Sequence, residues 1–141
     1  VNGRADILEL TQATQEAILR PRVAGGISYA ERAAMACRIA RLNHQEALAE
    51  HYATLLQPES ALSARIADPA FTGGGERRLT ALLRHVDLVT QAPKNATHAD
   101  ITALRDAGIA EADMVRLAEI IAFINYQSRV IAGLRLLGEI V

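Results

Sequence analysis

Residues 27–52 read ISYAERAAMACRIARLNHQEALAEHY, and the spacing of polar residues in this stretch decides how the chain folds. Ser28 followed three residues later by Glu31 is a capping box, with each side chain placed to satisfy a backbone N–H that the first helical turn leaves open. It predicts a helix from Tyr29 through Leu42. Asn43 then reads as the N-cap of the next helix, with Glu46 at the corresponding box position, and that helix is expected to run to about Leu56. On this reading Asn43 ends one helix and caps another. The open amides of the second would point into the corner between them, where an anion gains from helix N-terminal donors.

Working outward, Ile7, Leu8, Leu10, Ala13, Ala17 and Ile18 form an apolar stripe at helical spacing. The stripe should stop near Arg20, because the residue before Pro21 is pushed away from helical geometry. Gly25-Gly26 is a linker. Residues 58–75 carry two prolines and the triplet Gly73-Gly74-Gly75, an irregular segment with room for a short helical turn. A helix is expected from about Arg77 to Gln91, before Pro93. A shorter one is capped by Thr97 and Asp100 and ended by Gly108. The last begins near Glu111 and reaches Leu137. It is apolar on more than one face between Leu117 and Tyr126, so it must be covered on most sides. In so small a protein another subunit is expected to supply part of that cover.

Composition agrees. Half of the 141 residues are hydrophobic but only 4% are aromatic, so Ala, Leu, Ile and Val build the core, which favours close-packed helices over a sheet. The length fits a single domain over 1–141. A formal net charge of −1 gives no long-range pull towards nucleic acid or anionic lipid, and Arg77-Arg78 is too short a run to bind a phosphate backbone. The longest apolar run, around Ile120 to Ile124, is too short to span a bilayer and is flanked by Glu119 and Asn125. A single cysteine cannot close an internal disulfide. No signal-peptide pattern is visible, and the expected compartment is the cytoplasm.

The same stretch resembles the carboxymuconolactone decarboxylase and alkyl hydroperoxidase D superfamily. There a helix opening near Leu-Ser-x-x-Glu-Arg leads through an Asn to a Cys-x-x-Cys-x-x-x-His signature. Registered on His51, the two cysteine positions become His44 and Ala47. Further on, Leu104-Arg105-Asp106-Ala107-Gly108-Ile109 with Asp113-Met114-Val115 is similar to the family's Leu-Arg-x-Ala-Gly-Leu-Ser-x-x-Asp-Ile-Val pattern. Phe123 to Val130 resembles its Asn-(Tyr/Phe)-x-x-Arg helix. The resemblance spans roughly residues 27–138 and is nearest to the uncharacterised, peroxidase-related branch. It implies an all-α bundle of about six helices that forms a homo-oligomer, acts on a small-molecule substrate and uses no cofactor.

In the redox members a dithiol at a helix start is activated by a nearby His and Glu. The thiolate attacks, and the second thiol resolves the sulfenic acid. Here the frame is present and the dithiol is absent. Cys37 lies a turn or more upstream on the preceding helix among Met35, Ala36 and Ile39; it is a buried inert thiol or a one-cysteine redox centre. His51 is the resemblance's acid–base candidate, against a plain surface histidine. Glu31 matches the family glutamate with one residue of slippage, since the family spacing counted back from His51 reaches Arg32. Its other reading is the cap with Ser28. Arg38, on the same face as Glu31, would pair with it, bind an anionic substrate, or sit in solvent. His44 and Asn43 complete the candidate substrate-binding set. His44 and His51, two helical turns and about 10 Å apart, are too distant to share one metal, and no metal is expected. Asn125 and Arg129 read as a structural network, and His85 with Asp87 as a satisfied histidine.

Three functions stay open: an alkyl hydroperoxidase D-like oxidoreductase without its dithiol; a thiol-independent acid–base enzyme acting on an acidic or lactone-like substrate through His51 and Glu31; and a non-catalytic helical oligomer that binds a small ligand or a partner.

Overall fold

The computed structural model describes residues 12–56 and 60–138. All regular structure among them is helical. Residues 12–19 form α1. They are followed by α2 (Tyr29–Leu42), α3 (Glu46–Ala53), α4 (Ala61–Ile66), α5 (Arg77–Gln91), a 3-10 turn (Pro93–Asn95), α6 (His98–Asp106) and α7 (Glu111–Leu136). Of the N-terminal stripe, Ile7, Leu8 and Leu10 lie outside the described residues. Ala13 and Ala17 are exposed, and Leu19 is the residue that buries.

The centre is α2. Nine consecutive residues, Arg32 to Ala40, are buried, and α3, α4, α5 and α7 pack around the helix. A helix can be enclosed on every side only if some of its faces are small, and here Ala33, Ala34, Ala36 and Ala40 let the neighbours approach. Leu82, Leu83 and Val86 of α5 and Leu117, Ile120, Ile121 and Ile124 of α7 complete one contiguous core. The capping box forms as expected: Glu31 N donates to Ser28 Oγ at 3.1 Å and Ser28 N to Glu31 Oε1 at 3.0 Å.

Two arginines are buried in α2. Arg38, with no accessible surface, meets Asp87 of α5 in a two-pronged pair, Nε to Oδ1 at 2.7 Å and Nη2 to Oδ2 at 2.6 Å. Its other donors reach the carbonyls of Ile66, Asp68 and Pro69 at 3.1, 3.0 and 3.3 Å. Arg32 has no acidic hydrogen-bond partner among the described residues. It donates instead to the carbonyls of Ile27, Ile18 and Ala24 at 2.9, 2.7 and 2.6 Å. Arg32 is thus satisfied by backbone carbonyls alone, and Arg38 by Asp87 together with backbone carbonyls.

The short helical turn for which residues 58–75 had room is α4, six residues capped by Ser60, whose Oγ accepts from Ser63 N at 3.1 Å. Two local expectations are corrected. Asn43 is the C-cap of α2 rather than the N-cap of α3. His44 is not on α3 at all; with φ +57° it turns the chain in the left-handed region. The helix therefore starts later, after Gln45, and lacks a side-chain cap. In the glycine triplet, Gly73 has φ +115°, and a Cβ there would come within 2.7 Å of the Thr80 Cα, so the turn into α5 requires glycine.

Replacing Arg38 should be costly, since Asp87 would lose its counter-charge and three carbonyls their donor. We expect Arg38→Ala to lower stability by about 3–5 kcal/mol in urea unfolding. A loss under about 1 kcal/mol would mean that the pair does not hold the core.

Candidate functional site

The residues singled out in the sequence do not converge on one cavity. Cys37 has no accessible surface, and its Sγ donates to the Ala49 carbonyl at 3.4 Å. Burial pushes its thiol up, against a smaller pull from the Arg41 charge. It is held in the protonated, inert form. Glu31 carries the cap and also a two-pronged pair with Arg78 of α5, at 2.8 and 3.1 Å. Burial raises its carboxyl, but the Arg78 hydrogen bond, the Ser28 N–H and the Arg78 charge outweigh that and hold it below the usual carboxylate range. Glu31 and Arg78 line a shallow cavity of about 500 Å³ with Ser28, Ser60 and Ser63. His51 does not line it.

His51 lies on the outer side of α3 and is exposed. Its Nε2 is 2.9 Å from Gln15 Oε1 of α1, and its ring meets Tyr52 edge-on, with centroids 4.9 Å apart. Tyr52 points inward instead, where its hydroxyl donates to Gln127 Oε1 of α7. Arg38 neither pairs with Glu31 nor reaches solvent; Asp87 and the backbone occupy it. It forms part of the wall of a largely apolar cleft of about 510 Å³ beside Leu83, Asp87 and Leu88. His44 is exposed in the turn, away from any helical register with His51.

Asn43 alone sits where a pocket was expected. The wall opposite it comes from α5 and α7, not from His51. A notch of about 210 Å³ is lined by Asn43, Gln45, Thr90, Asn125, Ser128 and Arg129. Asn43 Nδ2 donates to Asn125 Oδ1 at 2.8 Å and Ser128 Oγ at 3.1 Å. The expected network of Asn125 therefore exists. Arg129 takes no part in it among the described residues and is exposed.

Sequence reasoning missed Asp87 as the partner of Arg38, Arg78 as that of Glu31, and Gln45 and Thr90 beside Asn43. No sequence signal links positions 49 and 47 residues apart. A buried arginine in an Ala-rich helix does demand an acid or free carbonyls somewhere, and that demand was readable. His85 is not satisfied either: its Nδ1 is buried without a partner among the described residues. Burial pushes its pKa down, more than the Asp100 charge raises it. Among the described residues no group of three or more His, Cys, Asp or Glu side chains comes together to hold a metal ion. No described helix is long and apolar enough to cross a membrane.

No family model and no curated protein matches the sequence. A solved structure shares the fold: an uncharacterized peroxidase-related protein from Silicibacter sp. TM1040. It aligns with a TM-score of 0.67 at 18% identity, over 92% of this chain and 68% of that one. The likeness is one of fold.

His85 gives a pH signature. Its folded pKa lies below the ordinary value of about 6.5, so above that pH it is neutral whether folded or unfolded. Below it the unfolded chain takes up a proton that the folded chain resists, and stability falls. Glu31, depressed in the folded state, loses its contribution only lower, as pH falls through the carboxylate range. We expect stability to drop as pH falls below about 6.5, and His85→Asn to flatten that part of the curve in urea unfolding. An unchanged slope would assign it to other groups.

Proposed function

We propose that this chain is an alkyl hydroperoxidase D-like helical protein, related to the carboxymuconolactone decarboxylase superfamily, that binds a small ligand without turning it over. The observation that carries this reading is the state of its only thiol. Cys37 is enclosed, protonated and bonded to Ala49 in the middle of α2, with no second cysteine to resolve an oxidised form. Peroxide reduction through a dithiol needs an accessible thiolate and a partner; this chain supplies neither. The peroxidase-related solved structure with the same fold supports the family assignment, while the motif frame around residues 27–52 supports the superfamily.

The acid–base alternative needs a carboxylate and His51 at one cavity. Glu31 is committed to Ser28 and Arg78, and His51 to Gln15 and the face of Tyr52. The groups that such chemistry would use are occupied by structural bonds on different faces. That favours binding over proton transfer.

Two outcomes test this. With a thiol reductant and either hydrogen peroxide or an alkyl hydroperoxide, the purified protein should show no turnover above background, and Cys37→Ser should leave that unchanged. Sustained turnover that vanishes in Cys37→Ser would overturn the reading in favour of a one-cysteine mechanism. We also propose that the chain self-associates through the end of α7, where Leu136 and Leu137 are 89% and 76% exposed and no described residue covers them. Light scattering at micromolar concentration should report an oligomer that Leu136→Asp weakens. A monomer for both would remove the proposal.

A further inference from the structure

The notch at the α2–α3 corner contains polar groups that the fold leaves unused, and their orientations are fixed. Asn125 Nδ2 donates to the Ile121 carbonyl at 2.9 Å, which can only accept; Asn125 therefore presents its Oδ1 to Asn43. That oxygen takes the Asn43 Nδ2, so the Asn43 side-chain carbonyl is the atom left over. Gln45 is about nine-tenths buried, at 9% exposure, and its Oε1 accepts from Arg135 Nη1 at 3.2 Å. An arginine only donates, so the Gln45 amide nitrogen is likewise left over. Neither the Asn43 Oδ1 nor the Gln45 Nε2 has a hydrogen-bond partner among the described residues, and neither is sealed from solvent. The Arg129 guanidinium, on the same wall, has no ion pair there either. The notch thus holds a cation, a neutral donor and a neutral acceptor, all free.

We propose that this notch binds a small 2-hydroxy carboxylate. The carboxylate accepts from Arg129 and from Gln45 Nε2, and the neighbouring hydroxyl donates to Asn43 Oδ1. An anion with no hydrogen to give, such as sulfate, leaves the Asn43 oxygen facing a lone pair. A carboxylate without the hydroxyl leaves it empty. The size fits as well, because about 210 Å³ is some seven water volumes at roughly 30 Å³ each, enough for a ligand of six heavy atoms. The proposal deepens the binding reading above by naming its site and ligand class.

Calorimetric titration of the full chain at low salt, where charge contacts are least screened, tests it with lactate, acetate and sulfate as probes. Lactate should saturate in the millimolar range or tighter. Acetate, lacking the hydroxyl, should bind at least about threefold more weakly, and Arg129→Gln should weaken lactate about tenfold. Arg129 is exposed and unpaired among the described residues, so this variant should keep its helical circular dichroism. Amide shifts on adding lactate should be largest at Asn43, Gln45 and Ser128. No saturation by lactate, sulfate or acetate binding as tightly as lactate, or an unchanged affinity in Arg129→Gln would overturn the proposal. Peroxide turnover, by contrast, would remove the non-catalytic reading whatever lactate does, so the two failures are distinguishable.

Discussion

Two positive charges buried in one fully enclosed helix set the terms for everything around them. Removing a guanidinium from water costs several kcal/mol unless each of its donors finds a partner. Enclosing α2 therefore obliges its surroundings to supply oxygen atoms at defined places. Arg38 draws α5 through Asp87 and the 66–69 turn through three carbonyls. Arg41 adds a fourth contact to that turn, at the Ala67 carbonyl. Arg32 fastens the end of α1 and the linker in the same way. The apolar contacts of α3 and α7 then fill what the arginines have positioned.

The same arrangement explains why the candidate chemistry is scattered. A catalytic acid or base must keep a free proton site at a cavity. Here Glu31 serves α2 as a cap and α5 as a counter-ion, and the one thiol lies in the most tightly enclosed part of the molecule. Such groups lend order to the fold and leave little reactivity over. What remains chemically free gathers where α2 ends, at a corner where three amide side chains are aligned by one carbonyl of α7 and one arginine.

Local signals were legible where they were self-contained. The Ser28/Glu31 box, the Pro93 stop after Gln91, the Gly108 terminator and the long apolar α7 each depend on residues within a few positions of one another. Asn43 misled for a physical reason. An asparagine before a helix and one after a helix carry the same side chain, and only the left-handed turn at His44 separates the two roles. A histidine there gives weaker notice of that turn than a glycine would. Contacts across the fold, Arg38 with Asp87 or Glu31 with Arg78, leave no trace in spacing; the sequence states the need and not the partner. The resemblance likewise anticipated an all-helical fold, but the residues that carry it are held by neighbours far along the chain, Glu31 by Arg78 and Arg38 by Asp87.

The dependence of the 66–69 turn on α2 also bears on how the molecule breathes. A surface connection normally frays independently, and its amides exchange with solvent through small local openings. This one cannot lift away without leaving the buried Nη1 of Arg38 without an acceptor. Its opening is therefore joined to the loosening of α2 and α5. The turn at 66–69, although it lies in a surface connection, should open with the core rather than before it.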